Sequence, residues 1–103
     1  MNRHARRAIE RRAALLKALA HPSRLMLVEV LGRGERCVCE LHDLSGGDFS
    51  TVSKHLAQLR RAGLLEMEKR GLKVFYRLKH RRVLRLLEWA DRVIQSAARE
   101  ARN

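Results

Sequence analysis

The stretch that decides the fold is Cys37-Val38-Cys39-Glu40-Leu41-His42-Asp43-Leu44-Ser45-Gly46-Gly47-Asp48-Phe49-Ser50-Thr51-Val52-Ser53-Lys54-His55-Leu56. It reads as two short helices around a polar, glycine-containing turn at Ser45-Gly46-Gly47. Val38, Leu41 and Leu44 form the expected inward stripe of the first helix, and Asp48 suits the N-cap of the second. Projecting the second helix at roughly 100° per residue puts Val52, Leu56 and Leu59 inside. The same projection puts Ser50, Thr51, Lys54, Gln58 and Arg61 outside, with Ser53 and His55 at the boundary. This is a helix-turn-helix layout with a polar reading face. Short amphipathic helix pairs are common, so the flanks must agree with it.

Downstream, Gly63 closes the reading helix. Leu64-Leu65-Glu66-Met67-Glu68-Lys69 and Lys73-Val74-Phe75-Tyr76-Arg77-Leu78 then flank Arg70-Gly71-Leu72 and read as a β-hairpin. Beside the reading helix it would form the wing of a winged helix. Lys69, Arg70 and Lys73 at its tip would lie near phosphates, which add affinity without sequence information. Upstream, Ile9, Ala13, Leu16 and Leu19 give Arg3 to Ala20 helical spacing. Arg3, Arg6, Arg7, Arg11 and Arg12 crowd its first half and read mostly as a solvated face. His21-Pro22-Ser23 breaks that helix and opens an apolar second one, ended by Gly32 and Gly34. The last helix, from about His80 to Arg102, carries a stripe longer than a small core needs, from Val83 through Leu86, Leu87, Val93 and Ile94 to Ala101. With the first helix it reads as a dimer surface, with Trp89 either at its edge or in the core.

The predicted fold class is therefore mainly α with a small β-hairpin, a winged helix-turn-helix in one domain over residues 1–103. Residues 1–20 and 80–102 supply dimerisation helices, 37–62 the helix-turn-helix and 64–78 the wing.

Charge narrows the partner. Lys and Arg number 23 against 11 Asp and Glu, a formal net charge of +12. Such an excess favours a polyanion, here double-stranded DNA. With aromatics at 4%, a stacking platform for single strands is not expected. No apolar run approaches a membrane span, and the arginine-bearing amino terminus has no apolar signal core, so a cytoplasmic protein without a membrane partner is expected. No phosphate-cradling glycine loop, HExxH or nucleophile elbow is present, so no enzyme is expected. A structural or membrane-surface protein held by charge alone is the competing class.

Cys37 and Cys39 are the only cysteines. A loop this tight does not suit ordinary disulfide geometry, so reduced thiols are expected. A thiolate pair is a soft donor set, suited to Zn(II), Cd(II), Pb(II), Cu(I) or trivalent arsenic and antimony. His42, three residues after Cys39, is the candidate third ligand, and His4 is another. Two buried hydrophobes remain the plain alternative for the cysteines, and modification by oxidants or persulfides is a third. Glu35 and Glu40 read as surface partners of Lys or Arg.

The sequence resembles the ArsR/SmtB family of bacterial metal-responsive repressors over nearly its whole length. Leu19-Ala20-His21-Pro22-Ser23-Arg24-Leu25 is similar to the family's helix-two opening, and Glu35-Arg36-Cys37-Val38-Cys39-Glu40-Leu41 to its E-x-C-V-C-D-L metal box. Ser50-Thr51-Val52-Ser53-Lys54-His55-Leu56, followed by Leu59-Arg60-Arg61-Ala62-Gly63-Leu64-Leu65, looks like its recognition helix. The resemblance implies a homodimer that represses from a palindromic operator, needs no cofactor to bind it, and is released when inducer takes Cys37 and Cys39. Arsenic-responsive members carry C-x-C-x-x-C, where this chain has His42 at the last position. Cadmium and lead sensors add cysteines on an amino-terminal arm, and zinc or nickel sensors add aspartate and histidine on the final helix; neither set is present. As(III) or Sb(III) is thus the leading inducer expected, with Cd(II) or Pb(II) next.

Overall fold

The computed structural model describes residues 1–102. Its elements run α1 (Arg3–Leu19), α2 (Pro22–Gly32), β1 (Arg36–Cys37), α3 (Val38–Ser45), α4 (Phe49–Arg61), β2 (Leu65–Arg70), β3 (Lys73–Leu78) and α5 (Val83–Arg102). α2 supplies the centre of the core through Leu27, Val28 and Leu31, each no more than 2% exposed. Pro22 stands in the first turn of α2, where its missing N–H costs nothing.

The α3–α4 pair forms around that centre. Leu41 from α3 and Val52, Leu56 and Leu59 from α4 are buried against it. Burying one leucine fully contributes about 1.5–3 kcal/mol. Gly46, with φ of 67°, turns the chain between the two helices in the left-handed region where a Cβ is disfavoured. Asp48 then caps α4, its Oδ1 accepting from the Thr51 amide at 2.9 Å.

The expected hairpin is present, and a third strand joins it. β1 pairs antiparallel with β3, so the sheet has three strands in the order β1-β3-β2. Cys37 lies opposite Phe75, and Leu65 opposite Leu78. Two residues are too short to display the alternation by which strands are read from sequence. Gly71, with φ of 62°, opens the two-residue turn at the wing tip, between Arg70 and Lys73.

α2 ends at Gly32 as expected, with Arg33 as its cap and Gly34 beyond it at φ of 147°. Two further expectations are corrected. Leu44 is 55% exposed rather than inward, because α3 ends one residue later, past the edge of the core. His80 precedes α5: the carbonyls of His80, Arg81 and Arg82 accept turn bonds from Val83, Leu84 and Arg85.

On α5, Val83 is buried, but Val93 and Ile94 are 66% and 64% exposed. Trp89 is likewise outside the core, with the Arg92 guanidinium 5.0 Å from its ring centre. Ile9 and Leu16 on α1 are also exposed. No helix among the described residues is long and apolar enough to cross a membrane.

Candidate nucleic-acid interface and thiol site

Two sites lie at opposite ends of the α3–α4 pair. The first is the outer face of α4. Lys54, Gln58 and Arg61 are exposed along it, and Ser53 and His55 are half-buried at its margin. At its start, the Ser50 hydroxyl donates to Asp48 Oδ1 at 2.7 Å and the Thr51 hydroxyl to Asp48 Oδ2 at 2.8 Å. Both hydroxyl hydrogens are thus used by the cap, leaving oxygen lone pairs to face outward. These hydrogen bonds, led by the Thr51 amide, hold the Asp48 carboxyl down at about 2.

His55 is held from behind. Arg24 Nε donates to His55 Nδ1 at 3.1 Å, and Arg24 Nη1 donates to the Ala18 carbonyl at 3.2 Å. One guanidinium on α2 thereby ties the end of α1 to the middle of α4. The His21 ring packs 4.4 Å from the His55 ring, while His21 Nδ1 accepts from the Ser23 amide to cap α2. Burial, then the nearby His21 and Arg24 charges, push the His55 imidazole below its ordinary value. As an acceptor from Arg24, His55 is a strut for α4. No sequence signal pointed to Arg24, because the two partners are 31 residues apart.

The wing tip divides. Lys69 and Lys73 are exposed and make no ion pair among the described residues. Arg70 is engaged: Nη1 donates to Glu35 Oε1 at 2.7 Å, and Nη2 donates to Glu35 Oε2 at 2.9 Å and to Glu68 Oε2 at 2.8 Å. Its guanidinium also lies 4.5 Å from the centre of the Phe75 ring. Arg77 joins the cluster through Glu66 at 2.8 Å. Glu35 is thus a partner of arginines, as its setting suggested, and so is Glu40, 3.6 Å from Arg36.

The second site is the junction of β1 with α3. Cys37 is the N-cap of α3: its Sγ accepts from the Glu40 amide at 3.4 Å, and its own amide donates to Glu40 Oε1 at 3.2 Å. This is a capping box with sulfur in the place usually taken by a hydroxyl. Cys37 is 4% exposed, whereas Cys39 is open to solvent.

The expectation of two separate thiols is corrected, because Cys37 and Cys39 are joined as a disulfide. Here the backbone turns from strand into helix at Cys37, and the Cα atoms lie 5.4 Å apart, within the range a disulfide spans.

His42 is half-buried on α3, its Nδ1 3.8 Å from Asp43 Oδ1 and its ring 5.5 Å from that of Phe49. Among the described residues, no group of three or more His, Cys, Asp or Glu side chains is assembled to hold a metal ion. Within one protomer the site offers two sulfurs.

Comparison with known proteins fits this architecture. Residues 21–67 match the family model described as bacterial regulatory protein, arsR family. The chain is 41% identical over 85 residues to a biofilm growth-associated repressor of Agrobacterium fabrum, covering 79% of this chain and 73% of that protein. It is 40% identical over 86 residues to the arsenical resistance operon repressor of Escherichia coli, covering 82% and 70% respectively. Among solved structures, the homodimeric winged helix-turn-helix DNA-binding domain of a Mycobacterium bovis protein superposes with a TM-score of 0.80 at 28% identity. That match covers 92% of this chain and 88% of the other. The fold is a winged helix-turn-helix of DNA-binding regulators, not of enzymes, and the chain belongs to the arsR family of bacterial regulatory proteins.

Proposed function

We propose that the protein is a cytoplasmic transcriptional repressor, binding double-stranded operator DNA as a homodimer and released when As(III) or Sb(III) takes the thiolates of Cys37 and Cys39. Lys54, Thr51 and Ser53 enter the major groove from α4, and Lys69 and Lys73 meet phosphates from the wing. The dimer forms through α1 and α5: the exposed stripe of Val93 and Ile94 needs an apolar cover, and Ile9 and Leu16 extend it. A homodimeric relative and two relatives named repressors support this reading.

The observation that carries the sensing role is the position of Cys37. Its sulfur caps α3, its backbone pairs with Phe75 in the wing, and its neighbour in space is the sulfur of Cys39. A ligand that draws both sulfurs changes the charge and position of the atom that caps α3, the helix leading into α4. Coupling of this kind is typically about 1–3 kcal/mol, or roughly 5–150-fold in affinity. Reduction must come first, returning two electrons and two protons to the disulfide. Arsenous acid then loses two hydroxyl groups as water to the two thiol protons and keeps the third hydroxyl, so the reaction does not require a third protein donor. Cd(II), Pb(II) and Zn(II) prefer larger donor sets and are weaker inducers here.

A second reading rests on the joined sulfurs themselves: the pair answers an oxidant. Two thiols and a peroxide give the disulfide and two waters, with no metal involved.

One titration separates the two. The reduced protein on labelled operator DNA is followed by fluorescence anisotropy while arsenite, antimonite, Cd(II), Pb(II), Zn(II) or peroxide is added. Release by arsenite in excess reductant, lost in Cys37→Ser and Cys39→Ser, supports metalloid sensing. Release by peroxide alone supports the redox reading. Normal arsenite response in both serine variants would sink the thiol assignment.

A further inference from the structure

We infer that the cleft between α1 and α4 seats a backbone phosphate of duplex DNA, carrying the DNA-binding surface past the reading helix onto α1. The inference rests on the DNA-binding reading and goes beyond its usual elements, the reading helix and the wing.

The cleft has a volume of about 480 Å³, and its polar lining is Lys17, Arg24, Gln58 and Arg61. Its other walls are alanines, small enough to leave room for a phosphate. Three cations and an amide thus converge with no carboxylate between them. Among the described residues, none of the three cations forms an ion pair. Arg24 spends Nε on His55 and Nη1 on the Ala18 carbonyl, which fixes its guanidinium plane and leaves Nη2 without an acceptor among the described residues. A planar donor held in place by two bonds is well suited to a phosphate oxygen.

The placement selects the ligand. Gln58 and Arg61 belong to the outer face of α4, so the cleft is continuous with the surface that meets DNA. At roughly 100° per residue, Arg3, Arg6, Arg7 and Lys17 share about 100° of arc on α1, with Glu10 the one carboxylate among them. Ile9 and Leu16, the apolar residues assigned to the dimer, lie on a different flank of the helix. The basic flank therefore remains open when that stripe is covered. A flank with three arginines at its far end and a lysine at a phosphate-sized seat fits an extended polyanion, rather than a single small anion.

The test uses the full-length protein and a fluorescent duplex of mixed sequence, with affinity measured across a series of KCl concentrations. Removing the cation that neutralises one phosphate lowers the slope of log affinity against log salt by roughly 0.9. Lys17→Ala, an exposed position, is expected to lower it by about that amount per protomer, and Lys17→Glu by more. Arg99→Ala removes an equal charge from the far end of α5 and is expected to leave the slope unchanged. A wild-type slope in both Lys17 variants overturns the inference while leaving the parent reading intact. Absence of duplex binding by the wild type overturns both. A Lys17 variant with unaltered slope whose wild-type parent shows amide NMR shifts at Arg24 and Arg61 with inorganic phosphate would make the cleft a small-anion pocket and also overturn it.

Discussion

The Arg70 guanidinium grips the Glu35 carboxylate with two hydrogen bonds, at 2.7 and 2.9 Å, joining the wing to the residue two places before Cys37. The wing and the thiol junction are thus one mechanical unit, since β1 also pairs with β3. The pairing sets the charge the wing shows to DNA. While Glu35 and Glu68 hold it, Arg70 is a neutralised cation.

Glu35→Gln combined with Glu68→Gln should therefore release Arg70 rather than merely weaken the wing. We expect tighter binding to duplex DNA and a steeper salt dependence, by roughly 0.9 per protomer if Arg70 gains a phosphate. Unchanged salt dependence would place Arg70 out of reach of the backbone.

Acid should loosen the start of the reading helix. The Asp48 carboxyl is held at about 2, below its ordinary 3.8, by bonds from the Thr51 amide and the Ser50 and Thr51 hydroxyls. A lowered folded value means that its stabilisation is complete above the ordinary value and is lost as pH falls through about 2. The helical far-ultraviolet signal should show this loss between about pH 4 and 2. Asp48→Asn should remove this contribution to the transition, and an unaltered acid profile in that variant would discharge Asp48 from the role.

Breaking the apolar stripe of α5 should separate the protomers. Ile94→Glu places a charge where a second copy is assigned, and light scattering should find the mass of a single chain. Losing the second binding module should weaken operator binding on the order of 100-fold. A dimeric Ile94→Glu protein would relocate the interface.

The core has its own sharp test. Leu56 on α4 is wholly buried, and Leu56→Ala should cost about 2–5 kcal/mol in urea unfolding, because the cavity cannot fully collapse. A loss below about 1 kcal/mol would mean that α4 repacks freely, and the reading helix would then lack the rigid backing described here.

The reading helix was the most legible part of the chain. Its burial follows from 3.6-residue periodicity alone: Val52, Leu56 and Leu59 point inward, and Ser53 and His55 fall at the margin where projection puts them. What periodicity cannot give is partnership across the fold. The roles of His55 and Arg70 depend on Arg24 and Glu35, 31 and 35 residues away, and only tertiary packing brings them together. β1 is not legible in the sequence because two residues carry no pattern, and without it the strand-to-helix bend at Cys37, where the Cα atoms of Cys37 and Cys39 lie 5.4 Å apart, is not legible either.

The sulfur at the head of α3 has a consequence for dose. An amide of the protein already donates to the sulfur that an arriving signal must bind. Helix and visitor share one atom, so whatever part of that cap is lost on binding, up to about 1 kcal/mol, is subtracted from the visitor's affinity. Complete loss of the cap would raise the amount of signal needed to trip the switch roughly fivefold. Replacing Glu40, the other half of the box, would shift that threshold without touching either cysteine.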